Sequence, residues 1–314
     1  MFMDSWQPSY LETHRRGLLE PKIAAAYDIL NQCTLCPHNC LVDRHHGERG
    51  LCRTGDLPVT SSYGPHFGEE DPLVGRRGSG TIFFTHCNLY CIFCQNYEIS
   101  HGGEGEEVSV ADLAAMMLSL QQRGCHNLNF VTPSHQVYQI LAALSLAIAG
   151  GLNLPLVYNT GGYDAVETLR LLDGVMDIYM PDFKFWDPKV AADLCQAENY
   201  PEMARRALKE MHRQVGDLVL DDTGVARRGL LVRHLALPGG LAGTREIMEF
   251  LAREISPDTY VNVMGQYRPC GRASAHPLLR QPLSAEEHAE AQGLAREAGL
   301  THLDRREKWF RWLE

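Results

Sequence analysis

The sequence of 314 residues has no apolar run long enough to cross a bilayer, for which about 20 residues are needed. Its most apolar stretch, 142–152, falls well short and reads as a buried helix. Positive charge is scarce too: 29 Lys and Arg stand against 39 Asp and Glu, a formal charge of −10. A surface of that sign repels phosphate, which disfavours nucleic acid as a partner. Residues 1–10, MFMDSWQPSY, lack a basic segment leading into an apolar one, so they do not read as a secretory signal. A cytoplasmic protein with no membrane partner is expected. Low-complexity segments and internal sequence repeats are also missing.

Cysteine, by contrast, is plentiful, with ten in the chain. Reducing compartments keep thiols free, so such a number points to metal ligands rather than disulfides. Two groups stand out at short spacing: Cys33, Cys36, Cys40 and Cys52, and then Cys87, Cys91 and Cys94. The second group has Cys-x3-Cys-x2-Cys spacing directly after a β-rich segment, the place where parallel-sheet folds carry chemistry. A 4Fe-4S cluster held by three thiolates keeps one iron without a protein ligand, open to a cofactor or substrate. The competing reading is a zinc knuckle completed by His86 or His101. The first group has four thiols, enough to close a tetrahedral site with zinc or to ligate an iron-sulfur cluster fully.

From Gly80 onward, β-rich segments at 81–85, 128–132, 154–159, 176–180, 230–237 and 260–264 alternate with amphipathic ones at 110–123, 136–149, 165–172, 188–216, 244–255 and 285–298. Alternation of this kind predicts an α/β fold of parallel strands and crossover helices. Ser109, Ser134 and Ser284 are placed to cap helices. Before Gly80, a helix at 21–30 precedes a stretch of Cys, His, Gly, Pro and Arg too poor in apolar residues to fold by burial alone. The expected organisation is a small Cys-rich N-terminal extension over 1–79, followed by the main domain over 80–314.

Cys87-x3-Cys91-x-Phe93-Cys94 resembles the signature of the radical S-adenosylmethionine (SAM) superfamily. Further segments, Cys94-Gln95-Asn96-Tyr97, Tyr158 to Tyr163, Met180 to Lys184 and Gln266 to Pro269, are similar to proteins related to pyruvate formate-lyase activating enzyme. The resemblance implies a partial six-unit (β/α) barrel in which SAM binds the open iron of the cluster. One electron would then split SAM into methionine and a 5′-deoxyadenosyl radical that takes hydrogen from a substrate. A one-electron donor such as flavodoxin or ferredoxin is implied as a partner, and the substrate is a protein or a small molecule of unknown identity.

Strand ends of a barrel open on one face, so polar residues there are candidates for SAM binding. Thr132 and Ser134 follow the second strand, where many radical SAM enzymes have Gly-Gly-Glu; this chain departs from that pattern. Asn159 ends the third strand ahead of Gly161 and Gly162, which either permit close backbone approach to a ligand or make a plain turn. Asp182 and Lys184 match an Asp-x-Lys pattern that contacts SAM in the activating enzymes; otherwise they form an internal ion pair. His234 either faces the mouth or is a core histidine, and Gln266 is a candidate for adenine or substrate. His86 stands where the superfamily commonly has glycine, and the two-cluster ferredoxin insert of some glycyl-radical activators is missing. Two alternatives stay open: a non-catalytic iron-sulfur or zinc protein of electron transfer or assembly, and a radical SAM methyl or group transferase.

Overall fold

The computed structural model describes residues 6–304; the parts of the two expected domains at 1–5 and 305–314 lie outside the described residues. In chain order the strands are β1 (Val59–His66), β2 (Ser79–Phe84), β3 (Glu106–Glu107), β4 (Leu128–Val131), β5 (Leu156–Thr160), β6 (Ile178–Pro181), β7 (Val219–Leu220), β8 (Ala226–Leu235), β9 (Tyr260–Met264) and β10 (His302–Leu303). The sheet order is β10-β9-β8-β6-β5-β4-β2-β1-β3, with β7 beside β8.

β2, β4, β5, β6, β8 and β9 are neighbours in chain order and all pair in parallel. They are the six expected strands, and the sheet does not close on itself, so the architecture is an open, partial (β/α) barrel. Burial on both faces explains why these strands are rich in Val, Ile, Leu, Phe and Tyr without polar alternation. The segment before Gly80 also contributes to the sheet, because β1 runs antiparallel to β2.

Helix signals at the two ends of the barrel are clear. Ser109 and Ser284 each close a reciprocal capping box, with Asp112 and with Glu287. The expected 188–216 element divides into Pro188–Cys195 and Tyr200–Val215, and the 244–255 element passes from Thr244–Phe250 into a π-helical turn, Leu251–Ile255. Ser134 does not cap the helix Val137–Ala149, whose N-cap is Gln136; the Ser134 hydroxyl is hydrogen-bonded to Thr160 Oγ1 at 3.0 Å.

Side chains two apart on a strand share a face. Val157 and Asn159, Ile178 and Met180, and Leu231 and Arg233 therefore point the same way. Leu73, from the short helix Asp71–Val74 between β1 and β2, packs with Val157, Ile178, Met180 and Leu231 in one buried apolar cluster. That cluster is the floor of the barrel, and the polar partners of the same strands stand above it. No helix among the described residues is long and apolar enough to cross a membrane.

Candidate active site

Thr85 to Cys94 run from the C-terminal end of β2 across the barrel mouth. Thr85 N donates to Val59 O and His86 N to Ile99 O, while Tyr90 N and Ile92 N donate to Cys195 O and Leu194 O on either side of Cys91. Phe93 is buried with its ring 5.9 Å from Phe185 and 6.1 Å from Tyr267, which anchors the last turn before Cys94. His86 has φ of 67°, a left-handed backbone in which glycine is at ease, and that accounts for its standing at a glycine position.

The three thiols line one cavity of about 260 Å³ together with Thr132, Asn159, Asp182, Lys184 and Gln266. Five of the seven residues expected to bind SAM thus line the cavity of the three thiols. Two do not. Ser134 is buried behind the wall in a network in which Thr160 Oγ1 and Tyr158 Oη donate to the Asp164 carboxylate at 2.6 and 3.0 Å. His234 faces away from the mouth: Nδ1 pairs with Phe183 O at 2.7 Å and Nε2 with Thr244 Oγ1 at 2.9 Å. Of the paired glycines, Gly161 lines the cavity, whereas Gly162, at φ of 78°, lies so close to the Asp182 backbone that no Cβ would fit.

Arg233 was missed in the sequence and is central here. It lines the cavity, donates from Nε to Asp182 Oδ1 at 2.8 Å and from Nη2 to Asn159 Oδ1 at 2.7 Å, and lies 3.6 Å from Glu69. Lys184 Nζ donates to the other Asp182 oxygen. Burial pushes the Asp182 carboxyl up, but Arg233 and Lys184 outweigh it and hold the group below the usual carboxylate range. Below them, Asn262 does not reach the cavity; its Nδ2 donates to Glu70 Oε1 at 2.8 Å. Thr132 has φ of 60°, uncommon for a β-branched residue and costly by about 1–3 kcal/mol, so the surrounding structure imposes it at the cavity wall.

Each sulfur has a neighbour. Leu89 N donates to Cys87 Sγ at 3.3 Å, and Ser100 Oγ lies 3.1 Å from Cys94 Sγ and 2.8 Å from His101 Nδ1. The Cys195 thiol holds Cys91 below the usual thiol range and is itself pushed up. Burial pushes Cys87 and Cys94 up. Three thiols lining one cavity, with the cation of Lys184 on the same wall, make a donor set whose chemistry fits a cluster with one open iron.

Cys33, Cys36, Cys40 and Cys52 line a second, nearly closed space of about 10 Å³ with His38, Arg44 and His135. Cys125, Cys195 and Cys270 do not line it. Among the described residues, neither set of cysteines is gathered around the position of a single metal ion; each set lines a shared space.

A family model for the radical SAM superfamily matches residues 81–223. An uncharacterized protein of Methanocaldococcus jannaschii is 32% identical over 306 residues, covering 95% of this chain and 84% of that protein. A solved radical SAM methyltransferase from Sphaerobacter thermophilus resembles it with a TM-score of 0.49 at 15% identity, over 72% of this chain and 66% of that one. So distant a likeness bears on neither activity nor substrate. The barrel and the cysteine loop define a protein built to carry an iron-sulfur cluster and SAM. The chain carries a radical SAM superfamily domain over residues 81–223.

Proposed function

We propose that this is a radical SAM oxidoreductase related to the activating enzymes, with Cys87, Cys91 and Cys94 as the 4Fe-4S ligands. The observation that carries the reading is the meeting of these thiols with Thr132, Asn159, Asp182, Lys184 and Gln266 in one cavity. Cluster and SAM together supply reductive cleavage of SAM and hydrogen abstraction from a substrate. Within the chain, Lys184 offers its ammonium to an anionic group beside the thiols, Asp182 orients that ammonium, and Arg233 fixes Asp182 and Asn159. Gln266 and Thr132 present polar groups from opposite sides of the mouth, while Phe83, Val131 and Leu235 exclude water.

The same proposal places the enzyme in the cytoplasm, reduced by flavodoxin or ferredoxin, with a protein or small-molecule substrate. It assigns Cys33, Cys36, Cys40 and Cys52 to a second metal, zinc or iron-sulfur, on the strength of four thiols lining one small space. The test is anaerobic reconstitution with iron and sulfide, then dithionite and SAM. 5′-Deoxyadenosine and methionine should form, and Cys87→Ala, Cys91→Ala and Cys94→Ala should each abolish them. SAM left intact by a fully reduced cluster would falsify the reading.

A further inference from the structure

The loop that carries Cys87, Cys91 and Cys94 is braced from outside the barrel by the segment that carries the other four cysteines. His38 lies between Cys36 and Cys40, and its backbone hydrogen-bonds to the Cys36 sulfur. Its Nε2 is 2.8 Å from Asn88 O, the carbonyl that follows Cys87. A carbonyl oxygen only accepts, so Nε2 carries the proton and donates. Asn88 is fully enclosed and cannot drift, because its own Nδ2 donates to Tyr163 O at 2.7 Å.

A second brace acts on the other side of Cys87. Buried Arg44 donates to His135 O at 3.0 Å and to Gly55 O at 2.8 Å, and His135 Nε2 donates to Thr85 O at 2.9 Å. Tyr90, next to Cys91, donates from its hydroxyl to Leu51 O at 2.7 Å, next to Cys52. Three hydrogen-bonded struts therefore run from the four-cysteine segment to Thr85, Asn88 and Tyr90. Leu89 and Phe93 bury the loop's apolar side chains in the core, and the struts fix the backbone between them and ahead of Cys87, on which the placing of the thiols also depends.

We propose that His38 is a positioning residue of the iron-sulfur centre, holding the Asn88–Leu89 peptide, whose N–H donates to Cys87 Sγ, so that the four-cysteine segment preorganises the three-thiol loop. The proposal rests on the assignment of Cys87, Cys91 and Cys94 as cluster ligands. Partners one layer beyond a metal ligand typically change metal affinity by about 10–100-fold. His38 acts through a peptide group, which puts its effect at the lower end, about tenfold.

The experiment compares the full-length wild type, His38→Ala and His38→Gln after anaerobic loading with ferrous iron and sulfide. Iron retention against a chelator, the electron paramagnetic resonance signal of the dithionite-reduced protein with and without SAM, and thermal melting are read for each. His38→Ala should lose iron about tenfold more readily and show a broadened signal while melting within a few degrees of wild type. His38→Gln, whose amide N–H can meet the same carbonyl, should recover both. Equal retention and identical signals in His38→Ala and wild type overturn the proposal. A loss in His38→Ala that His38→Gln fails to recover also overturns it. A wild type that loads no cluster on the three thiols refutes the ligand assignment instead.

Discussion

Arg233 Nε donates to Asp182 Oδ1 at 2.8 Å, and this bond joins the neighbouring strands β6 and β8 at the barrel mouth. The same guanidinium reaches Asn159 on β5 and Glu69 on the loop after β1. Removing it takes one cation from two largely buried carboxylates, Asp182 keeping Lys184 and Glu69 keeping His66, at a cost of up to about 3–5 kcal/mol, that of a broken buried pair. Arg233→Met should therefore lower the urea midpoint strongly, and an unchanged midpoint would show that the network relaxes around the gap.

Asp182 and Lys184 are tested by charge. Lys184→Met leaves Asp182 paired with Arg233, so the fold should persist and iron should stay bound. SAM affinity should fall about tenfold or more, the equivalent of one charge-assisted hydrogen bond of roughly 1.4 kcal/mol. Equilibrium dialysis with labelled SAM measures it, and unaltered affinity would return the pair to a purely structural role.

Cluster loading should depend on pH with a definite sign. Burial raises the Cys87 and Cys94 thiols, so at neutral pH the empty loop is protonated there. Iron binding must displace those protons, and loading should strengthen as pH rises, by up to about tenfold per unit for each proton released. Iron titrations across the neutral range would show a flat profile if the thiols were already ionised.

His234 predicts a different pH effect, on stability. Burial lowers it to about 4, and the ring is neutral in the fold. Between that value and about 6.5 the unfolded chain binds the extra proton, so this contribution is full above about 6.5 and declines toward 4 by up to about 1.4 kcal/mol per unit. His234→Gln should flatten the melting temperature over that window.

The parallel strands were legible because they are buried on both faces, but the same property hid their phase. Arg233 and His234 are adjacent polar residues in an otherwise apolar run, and they point to opposite sides. With apolar residues on both sides, nothing in β8 alone says which faces the mouth, so the sequence offered His234 as a candidate, with a core histidine as the alternative, and passed over Arg233. Pairing with β6, which sets Asp182 against Arg233, resolves it. Glu69 and Glu70 escaped notice because they sit in a loop of the Cys-rich segment yet fold under the mouth. Cys195 escaped because its contact with Cys91 depends on where a helix ends. The two cysteine groups needed no tertiary information, since they stand at short spacings, whereas Asp182 and Lys184 were picked out by their resemblance to the Asp-x-Lys pattern of the activating enzymes.

Leu73 closes the lower end of the barrel against Val157, Ile178, Met180 and Leu231. The interior is therefore shut from below, and whatever meets the thiols comes and goes by the mouth or by the side on which the sheet stays open.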